Sequence, residues 1–170
     1  MNIFIEEHQE FLKALIKYEV NFMLIGGYAV IHYGYERTTG DMDVWLQTGN
    51  SNKDKLLKAL KAFGITDEGI DELSKMDFTN PLPVFFIGQK PKRIDFVTLI
   101  NNNNFDEAVK QVNNFMFEDI SIPVIHYNDL IRSKQNTGRL KDLADIEELE
   151  KINKHRDNNR QWLNVMSVSK

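Results

Sequence analysis

The chain has 170 residues, a net charge of -4 and no cysteine. A chain of this length typically forms one domain and buries on the order of 70% of its unfolded surface, so its core needs no covalent cross-link. The absence of cysteine excludes disulfides, thiolate metal sites and a cysteine nucleophile, and the acidic balance argues against sequence-independent binding of nucleic acid over the whole surface. No stretch resembles a signal peptide or reaches the roughly 20 apolar residues of a membrane span, so we expect a cytoplasmic protein.

The first half of the sequence alternates between helical and strand patterns. Apolar residues at helical spacing predict an amphipathic helix over residues 3–18. Buried strands are predicted over residues 21–25 and 39–47, and a helix between them over residues 28–33. A further helix is predicted over residues 53–63 with Ser51 or Asn52 as its N-cap. Residues 65–80 are polar, and their pattern fits either a helix or a loop.

The second half predicts a hairpin, edge β structure and a helical end. Residues 84–87 and 93–100 read as two strands joined by a glycine-containing turn. A helix is predicted over 105–112, edge β structure over 115–125, and a long last helix over 138–153. Interleaved strands and helices predict an α+β fold, a mixed β-sheet with helices packed on it. We expect one domain over residues 1–153, helical from 128, and a polar tail over 154–170.

Two features in the first half of the sequence indicate a binding or catalytic site. Gly26 and Gly27 lie between a strand and a helix, where a glycine pair lets the backbone approach a phosphate. Asp41 and Asp43 flank Met42 on the next strand, so both carboxylates point the same way from α-carbons about 7 Å apart along the strand. Such a pair can hold a hard cation such as Mg²⁺. The alternatives are an ordinary turn and a solvated strand face.

The ordered set Gly26-Gly27 and Arg37-Thr38-Thr39-Gly40-Asp41-Met42-Asp43-Val44 resembles the signature of the nucleotidyltransferase superfamily with the DNA polymerase β-like fold. Within it, the chain is most similar to small stand-alone bacterial enzymes, namely AbiEii-type toxins and lincosamide nucleotidyltransferases. The resemblance spans roughly residues 20–150. It implies a third carboxylate on a later strand, for which Asp95 is the candidate.

The resemblance also implies roles for these residues. Asp41 and Asp43 would hold the metal that accompanies a nucleoside triphosphate such as ATP. Asp95 would complete a second metal position or accept the proton of the incoming hydroxyl; alternatively, it simply lies on an exposed face beside Arg93 or Lys92. The implied metal is Mg²⁺, with Mn²⁺ as the alternative, and Gly26 and Gly27 would approach the phosphates.

Arg37, Thr38 and Thr39 precede the carboxylate pair. Arg37 is positioned in the sequence either to bind a phosphate in bidentate fashion or to pair with Asp41 or Glu36. The two threonine hydroxyls could donate to phosphate or could cap the start of the strand.

A second polar cluster lies between residues 134 and 145, and small members of the superfamily resemble it. Lys134, Arg139 and Lys141 would then lie over the triphosphate or the acceptor, with Lys134 on the loop before the last helix. The alternative is a network in which Lys141, Asp142 and Asp145 pair locally. The apolar stripe of that helix is predicted at four positions: Leu140, Leu143, Ile146 and Leu149.

Together these features predict a Mg²⁺-dependent nucleotidyltransferase that moves a nucleoside monophosphate from a nucleoside triphosphate to tRNA, a protein or a small molecule. Its expected setting is as the toxin of a toxin–antitoxin pair. An antibiotic-modifying enzyme fits the same motifs, as do a nucleotide-binding module without catalysis and a structural protein with a coincidental motif. The expected protein partner is a second copy of the chain, which would complete the acceptor cleft in a homodimer, or a cognate antitoxin.

Overall fold

The computed structural model describes residues 4–82, 84–100, 103–135 and 137–168, and for residues 157–168 it describes the backbone alone. Within these residues six strands form one mixed sheet, accompanied by seven α-helices and one short 3₁₀ helix. The predicted α+β fold, a mixed sheet with helices packed on it, is therefore confirmed. No helix in the described ranges is long and apolar enough to cross a membrane.

The helices and strands alternate along most of the chain. The helices are α1 Glu6–Lys17, α2 Gly26–His32, α3 Asn50–Phe63, α4 Asp67–Ser74, α5 Phe105–Ala108, α6 Tyr127–Gln135 and α7 Leu140–Val168. The strands are β1 Phe22–Leu24, β2 Asp41–Leu46, β3 Phe85–Ile87, β4 Arg93–Val97, β5 Asn113–Phe117 and β6 Ile120–Val124. The 3₁₀ helix, Val109–Gln111, directly follows α5.

The sheet order is β3-β4-β2-β1-β6-β5. Strand β2 pairs in parallel with β4, and β1 pairs in parallel with β6, whereas the other neighbours are antiparallel. The predicted hairpin of residues 84–100 is thus the β3–β4 pair at one edge, and its second strand lies directly against β2.

Alternation along β2 and β4 separates a core face from a polar face. Met42 and Val44 of β2 and Ile94 and Phe96 of β4 are buried. Phe11 of α1 packs edge-on against Phe96, with ring centroids 5.8 Å apart, which fixes α1 over this face. The intervening residues of both strands therefore point away from this core, and they include the carboxylates singled out above.

Two predictions at helix starts were wrong. Helix α2 begins at Gly26, not at residue 28, so both glycines belong to its first turn. Helix α3 begins at Asn50 with Gly49 as N-cap, and neither Ser51 nor Asn52 caps it. Asn52 instead is buried, and its amide donates to the carbonyls of Asn21 (3.0 Å) and Gln47 (2.9 Å). Its side chain therefore ties α3 to the strands instead of closing the helix end.

The region 115–125 forms two strands, β5 and β6. Strand β5 is the sheet edge, as predicted, but β6 lies inside the sheet between β1 and β5. Pro123 is tolerated because it is the penultimate residue of β6, and the parallel pairing with β1 is made at Val124. Residues 65–80, which the sequence left undecided, contain helix α4.

The last helix differs most from the prediction. It continues to Val168, past the predicted end at residue 153, so its backbone takes in most of the polar tail. Its predicted apolar stripe is also wrong at the start, because Leu140 and Leu143 are 84% and 50% exposed. Asp142 and Asp145 are buried in their place, whereas Leu149 is buried as predicted. Helix α7 thus turns a charged face inward.

Candidate active site

Strands β2 and β4 bring three carboxylates to one side of the sheet. The parallel register places Asp43 opposite Asp95 and Asp41 opposite Arg93. Neighbouring strands lie about 4.8 Å apart, so Asp43 and Asp95 are adjacent across the sheet. All three carboxylates line one cleft of about 540 Å³.

This cleft gathers almost all of the predicted site residues. Its lining includes Gly26, Gly27, Arg37, Thr39, Asp41, Asp43, Asp95, Lys134, Arg139 and Lys141. Thr38 is outside it; this residue is exposed, and its carbonyl accepts a hydrogen bond from Nη1 of Arg37 at 3.1 Å. A second cavity of about 480 Å³ between α6 and α7 contains none of the predicted residues.

The glycine pair allows α2 to approach the carboxylates closely. Gly26 has φ +60°, and a Cβ at this position would lie 2.5 Å from Cγ of Asp43. A Cβ at Gly27 would lie 2.8 Å from Cβ of Thr39. The backbone N–H of Gly27 donates to the Asp43 carboxylate. The Gly27 amide therefore contacts Asp43, the carboxylate for which Gly26 leaves room.

Asp43 is a carboxylate in an environment that disfavours its charge. Burial raises its pKa above the ordinary value, and the neighbouring carboxylates of Asp95 and Asp41 act in the same direction. The Gly27 amide and the Lys134 ammonium oppose this increase. A divalent cation at Asp43 would relieve the repulsion among the three carboxylates.

Asp41 and Asp95 each have a basic partner on the β3–β4 hairpin. Nζ of Lys90 lies 3.2 Å from Oδ2 of Asp41, whereas Oδ1 of Asp41 is buried without a hydrogen-bond partner among the described residues. Nε of Arg93 donates to Oδ1 of Asp95 at 2.6 Å, and its guanidinium lies 3.9 Å from the ring centroid of Phe86. The sequence left open that Asp95 lies on an exposed face beside Arg93 or Lys92; it does pair with Arg93, but its side chain is only 18% exposed. Lys90 was missed, because its position in a turn gave no signal.

The carboxylates suit a metal ion without forming a finished metal centre. In the part of the chain that the structure describes, no three His, Cys, Asp or Glu side chains are arranged to hold one ion. Asp95 is held by Arg93. Asp41 and Asp43 share one side of β2, and the unpartnered buried oxygen of Asp41 supplies a ligand of the hard type that Mg²⁺ prefers. The residues present therefore fit a divalent cation.

Arg37 has a partner that the sequence did not suggest. Its Nε lies 2.8 Å from Oδ1 of Asp145 and its Nη2 donates to Oδ2 of the same residue at 3.1 Å. The proposed pairing with Asp41 or Glu36 was wrong, since the guanidinium is paired with a carboxylate of α7 instead. Thr39 also bonds within the chain, because its hydroxyl donates to the Asp41 carbonyl at 3.1 Å.

Lys134 lies at the centre of a buried charge cluster. It belongs to α6, so the prediction that it sits on a loop was wrong. Its buried ammonium is 2.7 Å from both Oδ1 of Asp142 and Oδ2 of Asp145. We use the name α6–α7 charge cluster for Arg37, Lys134, Asp142 and Asp145.

Exposed basic residues border this cluster. Nε of Arg139 lies 2.8 Å from Oδ2 of Asp142, yet its side chain is 75% exposed. Lys141 is also exposed and lines the cleft. The predicted local network is therefore present in part: both aspartates are paired, but with Lys134, Arg37 and Arg139 instead of Lys141.

Comparison with known protein families shows which family this chain belongs to. Residues 5–170 match a family described as "Nucleotidyl transferase of unknown function (DUF2204)". The chain is a member of this nucleotidyl transferase family. Members of such families are transferases that use a nucleoside triphosphate and a divalent metal. No curated protein matches the chain.

Solved structures similar to this nucleotidyl transferase show the same fold. One is the lincosamide antibiotic adenylyltransferase LnuA with lincomycin bound; it is 16% identical, the match covers 89% of this chain and 99% of that one, and the TM-score is 0.53. Another is an antigenic nucleotidyltransferase-like protein from Paracoccidioides brasiliensis, at 15% identity, 86% and 74% coverage, and a TM-score of 0.53. At these identities the likeness supports the fold and leaves the substrate of this transferase to other arguments.

Proposed function

We propose that this protein is a Mg²⁺-dependent nucleotidyltransferase, with Mn²⁺ as an alternative metal, that moves a nucleoside monophosphate from a nucleoside triphosphate to an acceptor. The observation that carries the proposal is the register of β2 and β4, which places Asp43 opposite Asp95 in a cleft that also contains Asp41. Asp41, whose buried Oδ1 has no partner among the described residues, and Asp43 on the same side of β2 are suited to a divalent cation.

Each carboxylate has a distinct proposed role. Asp41 and Asp43 would hold the metal, which neutralises negative charge as pyrophosphate leaves. Asp95 would complete the metal site or accept the proton of the acceptor group. Its bond to Arg93 fixes the orientation of the carboxylate before substrate binds.

Basic residues around the cleft would contact the triphosphate or the acceptor. Arg139 and Lys141 suit this role best because both are exposed at the cleft. Arg37 and Lys134 also line the cleft, but their nearest partners are the carboxylates of α7. We therefore propose that Arg37 and Lys134 hold α7 against the cleft. Any contact that they make with phosphate would be made from these positions. Gly26, Gly27 and Thr39 would form the adjacent wall of the cleft. Thr38 lies outside the cleft, so its proposed contact with phosphate rests on the sequence alone.

Two acceptor classes fit the same motifs. The expected setting is the toxin of a toxin–antitoxin pair, which would modify tRNA or a protein and bind a cognate antitoxin. A small-molecule acceptor such as an antibiotic is the alternative, and the fold shared with the lincosamide adenylyltransferase LnuA is compatible with it. Either role is compatible with a homodimer whose second subunit completes the acceptor site.

Calorimetry with ATP, GTP, CTP and UTP, each with and without Mg²⁺, tests the shared part of the proposal. We expect Mg²⁺-dependent binding that is lost in Asp43→Asn. That variant should fold, because it removes a charge that burial already disfavours. Asp71→Asn, on the exposed surface of α4, is the charge-matched control and should bind normally. A folded wild-type protein that binds none of the four nucleotides would contradict the proposal.

The acceptor can then be assigned with the preferred nucleotide labelled at its α-phosphate. Incubation with tRNA, with a protein extract or with lincomycin separates the classes, since the label moves to only one type of product. Transfer must depend on Asp43 in each case. Labelling of RNA or protein would favour the toxin, and labelling of lincomycin would favour the antibiotic-modifying enzyme.

A further inference from the structure

Lys90 is a basic residue of the cleft that neither the motifs nor the family description assigns. It lies between β3 and β4, and its Nζ is 3.2 Å from Oδ2 of Asp41. Its side chain is 72% exposed, whereas that of Asp41 is 26% exposed. The ion pair thus joins a long side chain in solvent to a partly buried carboxylate proposed to hold metal.

The other two basic residues of this hairpin are engaged differently. Arg93 is bonded to Asp95 and stacked over Phe86, so its position is fixed from two sides. Lys92 pairs with Glu7 of α1 and does not line the cleft. Of Lys90, Lys92 and Arg93, only Lys90 is both highly exposed and paired with a carboxylate that lines the cleft.

We infer that Lys90 is a phosphate-binding residue that exchanges partners during nucleotide binding. In the free enzyme it neutralises Asp41; when a divalent cation takes that carboxylate, the ammonium moves to the β- or γ-phosphate of the triphosphate. This inference rests on the proposed function. It assigns the hairpin tip between β3 and β4 to the triphosphate side of the cleft.

The exchange is physically inexpensive. An exposed ammonium–carboxylate pair is weak because water screens the attraction and two side chains must be held in one geometry. A metal bound to Asp41 removes the negative charge that attracts Lys90 and adds positive charge beside it. A triphosphate restores negative charge in the same cleft, and the lysine stem has enough rotatable bonds to follow it.

The exchange predicts effects of opposite sign on two affinities. Lys90→Met keeps the apolar stem and removes the competitor for Asp41, so Mn²⁺ alone should bind about threefold to fivefold more tightly. Inorganic tripolyphosphate, offered with saturating Mn²⁺, should bind about fivefold to tenfold more weakly, because a charge-assisted hydrogen bond is lost. Mn²⁺ binding is measured by electron paramagnetic resonance, and tripolyphosphate binding by calorimetry, so that no base or acceptor needs to be known.

Lys92→Met is the matched control, since it removes a neighbouring exposed charge outside the cleft and should change neither affinity. Lys90→Arg should keep both close to wild type. The Lys90 assignment is overturned if Lys90→Met leaves both affinities unchanged while wild-type Mn²⁺ binding still depends on Asp43, and the proposed function then stands. If the folded wild type binds no Mn²⁺ at all, both proposals fail together.

Discussion

Replacing Gly26 by alanine tests whether the glycine exists to admit the Asp43 carboxylate. Gly26 has φ +60°, in the left-handed region, where an alanine costs about 1–2 kcal/mol. The new Cβ would also lie 2.5 Å from Cγ and 2.8 Å from Cβ of Asp43. Carbon atoms normally approach to about 3.5–4.0 Å, so Asp43 or the start of α2 must move by roughly 1 Å.

The expected loss of stability has two parts. Backbone strain contributes about 1–2 kcal/mol, and overpacking adds about 1–3 kcal/mol. We therefore expect Gly26→Ala to lower the free energy of unfolding by about 2–5 kcal/mol. Because the overlap falls on Asp43, binding of Mn²⁺ should be lost even in the protein that remains folded.

Gly64→Ala is the matched control. Gly64 ends α3 with φ +95°, and a Cβ there would meet nothing within 4 Å. This variant should lose only the backbone term, about 1–2 kcal/mol, and should bind Mn²⁺ normally. Urea unfolding followed by circular dichroism measures stability, and calorimetry measures binding. Equal stability and equal Mn²⁺ affinity in the two variants would refute the assigned role of Gly26.

Two further predictions concern the inward faces of the helices. Leu149→Ala should lower the free energy of unfolding by about 2–5 kcal/mol and Leu140→Ala by less than about 0.5 kcal/mol, since only Leu149 is buried; similar losses in urea unfolding would contradict the orientation of α7. His8 is buried and hydrogen-bonds to the Tyr28 hydroxyl at 2.8 Å, and burial lowers its pKa below 6.5. The unfolded chain therefore binds a proton first as the pH falls below 6.5, so stability should decrease there, and His8→Gln should make this decrease shallower in a pH series of unfolding curves.

Local patterns in the sequence were sufficient for most of the elements and for the carboxylate pair. Residues on β2 alternate between core and cleft because strand side chains have a period of two, and this period by itself predicts that Asp41 and Asp43 lie on one side of the strand. The glycine pair followed by two carboxylates was sufficient to identify the family, because the order of these residues reflects a local strand–helix–strand unit.

Contacts between distant segments could not be predicted in the same way. Arg37 pairs with Asp145, 108 residues away, and no local pattern identifies that partner. The stripe of α7 failed for a related reason. Periodicity placed Leu140 and Leu143 inward, but the buried positions are occupied by aspartates that face Lys134 of α6. The energetics of a buried ion pair thus overrode the apolar pattern at the start of this helix.

The α6–α7 charge cluster makes the last prediction, that Lys134→Met is strongly destabilising in a pH-dependent way. Removing the ammonium leaves Asp142 and Asp145 buried with fewer partners, and breaking a buried pair in this way costs about 3–5 kcal/mol. Asp145 keeps Arg37, while Asp142 keeps the Arg139 guanidinium and the Thr137 hydroxyl at 2.7 Å.

The pH dependence follows from Asp142. Burial alone would raise the pKa of this carboxyl, but hydrogen bonds from Lys134 and Thr137 outweigh it and hold the pKa below 3.8. A lowered folded-state pKa contributes stability that is present above 3.8 and is lost as the pH falls through the folded value. The difference between wild type and Lys134→Met should therefore be largest near neutral pH and should narrow in acid. Urea unfolding at several pH values measures it; a difference that stays constant into acid would contradict the assignment of this stability to the pairing of Lys134 with the Asp142 charge.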